Sequence, residues 1–210
     1  MNKGFTRFAI VLAAAISGAV IGARPLAALN TGGAAVIDRV VGIFSMWTGE
    51  DPNKALFDQA ARYIDYSEMA ERSLGGQWSQ LSEVDRREFV YVFRRLVEER
   101  YYKRWHKIFA KGRMKFIEES PTRGGLFVKT RLALGKDDDE LVWQLSKRSG
   151  QYKVVSIAVD EKDLLTRISM RLQKHLRKDG FDNLLAWMKD EADLDDEDDG
   201  VSRMKSTASR

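Results

Sequence analysis

Apolar residues recur at helical spacing along most of the chain, and in one central block they switch to alternation. Val36, Ile37, Val40, Val41, Phe44 and Trp47 keep to one side of a helical wheel and predict a short amphipathic helix. Asp51 followed by Pro52 reads as a helix start, with Leu56, Phe57, Ala60 and Tyr63 on one side up to about Ile64. Ser67, Met69, Ala70 and Leu74 fit another short helix, ended by Gly75 and Gly76. Ser82 to Asp85 resemble a capping box. Behind them Phe89, Phe93, Leu96, Val97, Tyr101 and Trp105 predict one long helix to about Phe109.

The period then drops to two. A strand is expected over 114–118, and turns at 122–125, 135–139 and 147–150 separate it from three more. Leu126, Val128, Thr130, Leu132 and Leu134 form one face of the second strand. Leu141, Trp143 and Leu145 form one face of the third, and the fourth covers 152–159. Leu164, Ile168, Leu172 and Leu176 return to helical spacing after Asp163. Gly180 stops that helix, and Asp182 caps a last one carrying Leu184, Leu185, Trp187 and Met188. Helices, a four-strand antiparallel meander, then helices make an α+β fold with helices packed on one face of a curved sheet.

Both ends differ from this body. Lys3 and Arg7 precede a charge-free apolar run over residues 8–23, which falls short of the roughly 20 residues that span a bilayer comfortably. Arg24, Pro25 and small residues follow. This is the layout of a secretory signal peptide, assigned to residues 1–28, with an uncleaved anchor as the alternative. The main domain is expected over 34–189. Residues 190–199 are almost all Asp or Glu, too poor in apolar side chains to fold, so 190–210 is expected to be a disordered acidic tail. The net charge is +4, so the body between these ends is markedly basic and suits an anionic partner. Given export, no nucleic-acid partner is expected.

Chemistry is scarce. With no cysteine there is no disulfide, thiolate metal site or cysteine nucleophile, and two histidines are too few for a histidine-rich metal site. Nucleophile elbow, P-loop, dinucleotide fingerprint and zincin motifs do not occur. His106 and His175 sit in polar runs and read as surface histidines. Glu118 with Glu119, and Asp137 to Asp139, read as solvated charges rather than an acid–base pair. No enzyme activity, metal or cofactor is expected.

Short features follow one another in a set order: Ser73-Leu74-Gly75 with Trp78, Arg86-Arg87-Glu88-Phe89, Phe93 with Leu96, and Tyr101. Val128-Lys129-Thr130, Trp143-Gln144-Leu145, Gly150-Gln151-Tyr152-Lys153-Val154 and Gly180 to Leu185 continue the series. This ordered set resembles the family of periplasmic phospholipid carriers called MlaC, or toluene-tolerance proteins, over about residues 55–188. Tyr152 stands where the family usually has tryptophan, and residues 155–164 lack the family's glycine after the last strand. The resemblance implies an NTF2-like outline and a soluble periplasmic carrier of phospholipid. It also implies two partners, an inner-membrane ABC transporter complex and an outer-membrane lipoprotein complex, and a role in outer-membrane lipid asymmetry.

On that reading a slot between helices and sheet receives acyl chains. Its candidate lining is Phe89, Phe93, Leu96 and Tyr101 on the long helix, and Leu126, Val128 and Leu132 on the second strand, facing them. Trp143, Leu145, Val154, Ile168 and Leu172 complete the set. The alternative is an exported α+β interaction module in which these residues are simply a filled core; a small envelope hydrolase is a third. N-terminal sequencing of protein from a cell-envelope fraction tests the export reading. A start between about residues 24 and 36 is expected, and an intact Met1 in the membrane pellet would refute it.

Overall fold

The structure is a computed structural model and describes residues 32–47, 54–148 and 150–192. The proposed signal peptide and most of the acidic tail lie outside the described residues. Five helices and a five-stranded sheet follow in order: α1 (Gly33–Met46), α2 (Lys54–Ala60), α3 (Tyr66–Leu74), α4 (Glu83–Phe109), β1 (Arg113–Thr122), β2 (Gly125–Leu134), β3 (Asp137–Arg148), β4 (Gln151–Val159), β5 (Lys162–Asp163) and α5 (Leu164–Glu191). A 3-10 turn (Gly75–Gln80) joins α3 to α4. The sheet is antiparallel with strands in sequence order. The expected meander is therefore present, extended by a two-residue fifth strand. Among the described residues no helix is long and apolar enough to cross a membrane.

Local chemistry sets the helix ends. The Ser82 hydroxyl accepts the Asp85 amide at 3.1 Å and so starts α4. Asp65 does the same for α3 through the Glu68 amide at 2.9 Å, and Asp163 for α5 through the Thr166 amide at 2.7 Å. The α1 N-terminus is served from across the fold, where Glu119 of β1 accepts the Ala34 amide at 2.7 Å. A carboxylate there complements the helix dipole. Glu119 is thus a structural group, and Glu118 pairs with Lys129 at 3.6 Å. Gly33 lets α1 sit this low: a Cβ on it would lie 2.6 Å from Val128 Cγ2. A processed N-terminus that keeps α1 whole falls before Gly33.

The concave face of the sheet is built in rows. Leu126, Leu145 and Val154 align across three strands, as do Val128, Trp143 and Ile157, then Thr130, Leu141 and Val159. β4 does not alternate strictly. Leu145 pairs with Val154 but Gln144 pairs with Ser156, so Val155 is an extra residue, and residues 154–157 are all buried. The free edge of β4 beside Val154 is taken by the segment before α3. The Val154 N–H donates to Tyr63 O at 2.8 Å, and the Asp65 N–H donates to Val154 O at 2.9 Å.

The helical layer does not lie on the sheet in the expected way. Leu126 and Val128 meet α1 at Gly33 rather than Phe89 and Phe93 of α4. The Phe89 ring packs instead with Trp78, Phe93 and Phe181. α4 reaches the sheet through its C-terminal end, where the Phe109 ring stacks on Trp143 at 5.8 Å. Gly180 (φ 81°, ψ 176°) bends α5 in a region that essentially only glycine occupies. The bend returns its last turns to α4, where Lys189 meets Glu88 at 3.0 Å. The fold extends to Ala192, which is buried, so the first residues of the segment expected to be unpacked belong to the domain.

Polar groups inside this layer are paired. Glu98, 3% exposed, takes Arg94 at 2.6 Å and Arg95 at 3.0 Å, and Arg94 also binds Asp58 at 2.6 Å. Beneath them the Tyr66 and Tyr102 hydroxyls bond to each other. Burial pushes both phenols well above their usual pKa, with the nearby Glu98 adding to the effect. A folded pKa raised above the unfolded value gives stability that is complete below about pH 10 and lost as pH rises beyond it. Urea unfolding followed from pH 8 upward is expected to show that loss, at a limiting slope of about 1.4 kcal/mol per pH unit for each phenol. Tyr66→Phe should make the loss shallower. It should also cost about 1–2 kcal/mol at pH 8 by leaving the Tyr102 hydroxyl without its partner.

Candidate functional site

The rows of the sheet are covered unequally. α1 and residues 63–65 close the Leu126 and Val128 rows. Beyond them the C-terminal half of α4 and the first turns of α5 stand away from β2, β3 and β4, and a cavity of about 470 Å³ opens between. That volume falls in the range of roughly 300–1,000 Å³ usual for small-molecule sites. Trp105, Ile108 and Phe109 of α4 form one wall. Leu132, Leu134, Leu141, Ile157 and Val159 form the sheet wall, and Leu164 closes the α5 side. Trp105, Phe109, Ile157 and Leu164 also border a small void of about 10 Å³, which carries the apolar space inward to Trp143 and Val154.

The mouth has the opposite character. Arg104, Lys107, Lys162 and Arg167 line it and are exposed, against two acids, Asp139 and Asp160. Tyr101 stands at the same rim. Burial raises its hydroxyl pKa against the pull of Arg167, Arg171, Arg100 and Arg104. Arg104 and Arg167 thus share with Tyr101 the edge of an apolar space. Such a rim attracts anions, and arginine suits phosphate in particular.

The sequence-derived lining divides three ways. Tyr101 and Leu132 border the cavity itself, and Trp143 and Val154 its narrow inner end. Leu96, Ile168 and Leu172 surround a cleft of about 40 Å³ between α4 and α5, which shares Tyr101 and Arg167 with the main cavity. Phe89, Phe93, Leu126, Val128 and Leu145 border none of these spaces and are filled core, each under a tenth exposed. The residues not foreseen are Trp105, Ile108, Phe109, Leu134, Leu141, Ile157, Val159, Leu164 and the basic rim. Of these, Leu134 and Leu141 lie on the alternating faces already recognised. What was missing is which end of the face the helices leave open.

The Trp143 indole N–H donates to Thr130 Oγ1 at 2.9 Å, so this large side chain is fully served within the sheet. The histidines are half-buried joints. His106 Nδ1 bonds Phe44 O at 2.8 Å and ties α4 to α1, and His175 stacks on Trp187 at 4.1 Å. Among the described residues no cluster of three His, Asp or Glu could hold a metal ion.

A curved antiparallel sheet with helices over its concave face and an apolar cavity beneath a basic rim make an NTF2-like α+β fold. The chain belongs to the MlaC family: the family model described as MlaC protein matches residues 49–190. This is a family of lipid-binding transport proteins rather than of enzymes. α1 precedes the matched region yet packs into the same core. Among solved structures the chain is similar to the phospholipid-binding protein from Ralstonia solanacearum, determined in complex with a phospholipid. That likeness has a TM-score of 0.65 at 12% identity and covers 75% of this chain and 93% of the other. A comparison with curated proteins finds no match.

Core and cavity wall should respond differently to truncation. Phe89→Ala removes a fully buried ring and is expected to cost about 3–5 kcal/mol in urea unfolding. Ile108→Ala, at a half-exposed wall beside open space, should cost about 1 kcal/mol.

Proposed function

We propose that the protein is a soluble periplasmic carrier that takes phospholipid acyl chains into the cavity and moves lipid between inner- and outer-membrane complexes. The observation that carries this reading is the single space with an apolar floor and a basic mouth. A buried methylene contributes about 0.8 kcal/mol, so one sixteen-carbon chain gains on the order of 12 kcal/mol gross. A gain of that size is what permits a lipid to leave a bilayer. The phosphate would then lie among Arg104, Lys107, Lys162 and Arg167 at the mouth. Membership of the MlaC family, and a similar fold in a protein solved with phospholipid, support the same reading. The partners it implies are an inner-membrane ABC transporter complex and an outer-membrane lipoprotein complex, reached after removal of a signal peptide.

Protein purified without detergent is expected to carry phospholipid visible in native mass spectrometry. Ile108→Trp, which fills the space with an apolar ring, should lose the lipid while keeping the circular dichroism spectrum of the parent. Leu132→Arg should lose it too, because an unpaired charge in the apolar floor is costly to bury. A parent protein that stays lipid-free after incubation with phospholipid vesicles would leave the interaction module as the better description.

A further inference from the structure

The main cavity ends against a partition. Trp105, Phe109, Ile157 and Leu164 border the cavity of about 470 Å³ on one side and the inner void of about 10 Å³ on the other. Beyond the partition lie Val40 of α1, Ile64 and Met69 of α3, which wall the void and do not reach the main cavity. The apolar space thus runs from the basic mouth toward α1 and α3 and is interrupted on the way. Ser156 also borders the void, but its hydroxyl donates to Asp163 at 2.5 Å and accepts the Leu165 amide at 3.1 Å. With that hydroxyl engaged, the void suits a methyl or methylene group rather than a water, which needs two or more polar partners.

Within the partition Phe109 is fixed from several directions. Its ring is buried, stacks on Trp143 at 5.8 Å and meets the Phe44 ring at 6.3 Å. Its carbonyl accepts the Ser45 hydroxyl at 3.2 Å, and one residue short of a turn earlier His106 Nδ1 bonds Phe44 O at 2.8 Å. The end of α4 that carries the ring is therefore tied to α1 at two points. Trp143 borders the void and not the main cavity, so the Phe109 ring comes between them.

The space in front of this ring has a definite capacity. An apolar cavity of about 150 Å³ takes one benzene, six carbons, so 470 Å³ matches on the order of eighteen carbons. That is one chain of membrane-lipid length, which leaves little room for a longer one.

We propose that Phe109 gauges the length of the acyl chain. Its ring stops the chain end short of Val40, Ile64 and Met69 and so sets the longest chain that the carrier accepts. The inference rests on the reading of the cavity as an acyl-chain site and adds the residue that makes it selective. A smaller side chain at this position joins the two spaces and deepens the cavity.

Vesicles of phosphatidylglycerols mixed in equal amounts, each with two identical monounsaturated chains of about fourteen to twenty carbons, are the probe. Identical chains make the result independent of which one enters. Lipid taken up by the full chain is separated from the vesicles and quantified by mass spectrometry. Phe109→Ala is expected to raise the ratio of twenty-carbon to sixteen-carbon lipid several-fold over the parent. Phe109→Leu should shift the ratio the same way by less. It keeps a large apolar side chain, so it decides the matter if Phe109→Ala fails to fold. Phe93→Ala removes another buried ring, one that borders neither space, and should leave the ratio at the parent's value.

An unchanged ratio in the folded Phe109 variants, loss of all uptake in them, or an equal shift in Phe93→Ala overturns the gauge and leaves the carrier reading standing. A parent that takes up no lipid overturns the carrier reading, and the gauge falls with it.

Discussion

The helical layer is fixed to the sheet by one pair of main-chain hydrogen bonds at Val154. A sheet edge is a row of unmet donors and acceptors, and something must cover it. Here β5 pairs only with the end of β4, and the three residues before α3 take the next stretch. Once Tyr63 and Asp65 are bonded there, the rest of α3 has little freedom. Asp65 caps the helix and accepts the Ser146 hydroxyl at 3.3 Å. Three residues on, buried Glu68 meets Arg148 of β3 at 2.9 Å. The far end of α3 is held by α5, where Gln173 donates to the Ser73 and Leu74 carbonyls at 2.9 and 2.8 Å.

Fixing α3 at one end of the sheet is what leaves the other end open. The concave face offers more apolar rows than α1, α3 and the start of α5 can cover. α4, the longest helix before the sheet, comes down onto it only near Phe109. The interior is therefore tightly filled around Phe44, Phe57 and Tyr102, whose rings meet edge to face at 4.6–4.7 Å, and empty a few residues further along the same helices. Packing and vacancy are made from one continuous apolar surface. The boundary between them is geometric, with no change of residue type to mark it.

That is why the fold was more legible than the site. Periodicity located α3, α4, the meander and the start of α5, because each signal is local: Ser82 before α4, Gly75 after α3, alternation from Leu126 to Leu134. The helix expected up to Ile64 proved shorter, ending at Ala60, because residues 63–65 are drawn out to pair with Val154. Val155 escaped notice since a bulge preserves apolar composition while shifting register. Phe89 and Phe93 share a helix face with Tyr101, so the sequence pattern alone does not separate them from the lining. Over several turns that face passes from a core against α3 and α5 to a wall facing the sheet. Asp160 and Glu161, both at positive φ, turn the chain tightly between β4 and β5.

The bonds from Gln173 and Ser169 to the end of α3 join residues 96–100 positions apart. Contacts of that span form late, since the chain between them must be ordered before they repay its loss of entropy. The chain is synthesised from its N-terminus, so α1 to α4 and the whole meander exist before the helix that completes them. Until Gln173 has emerged, the last carbonyls of α3 lack their partners and the Leu74 side of the core lacks its cover. Between completion of the meander and the arrival of α5 the nascent protein is thus a half-closed apolar shell. It depends on the arrival of α5 for its protection from aggregation as much as for its final shape.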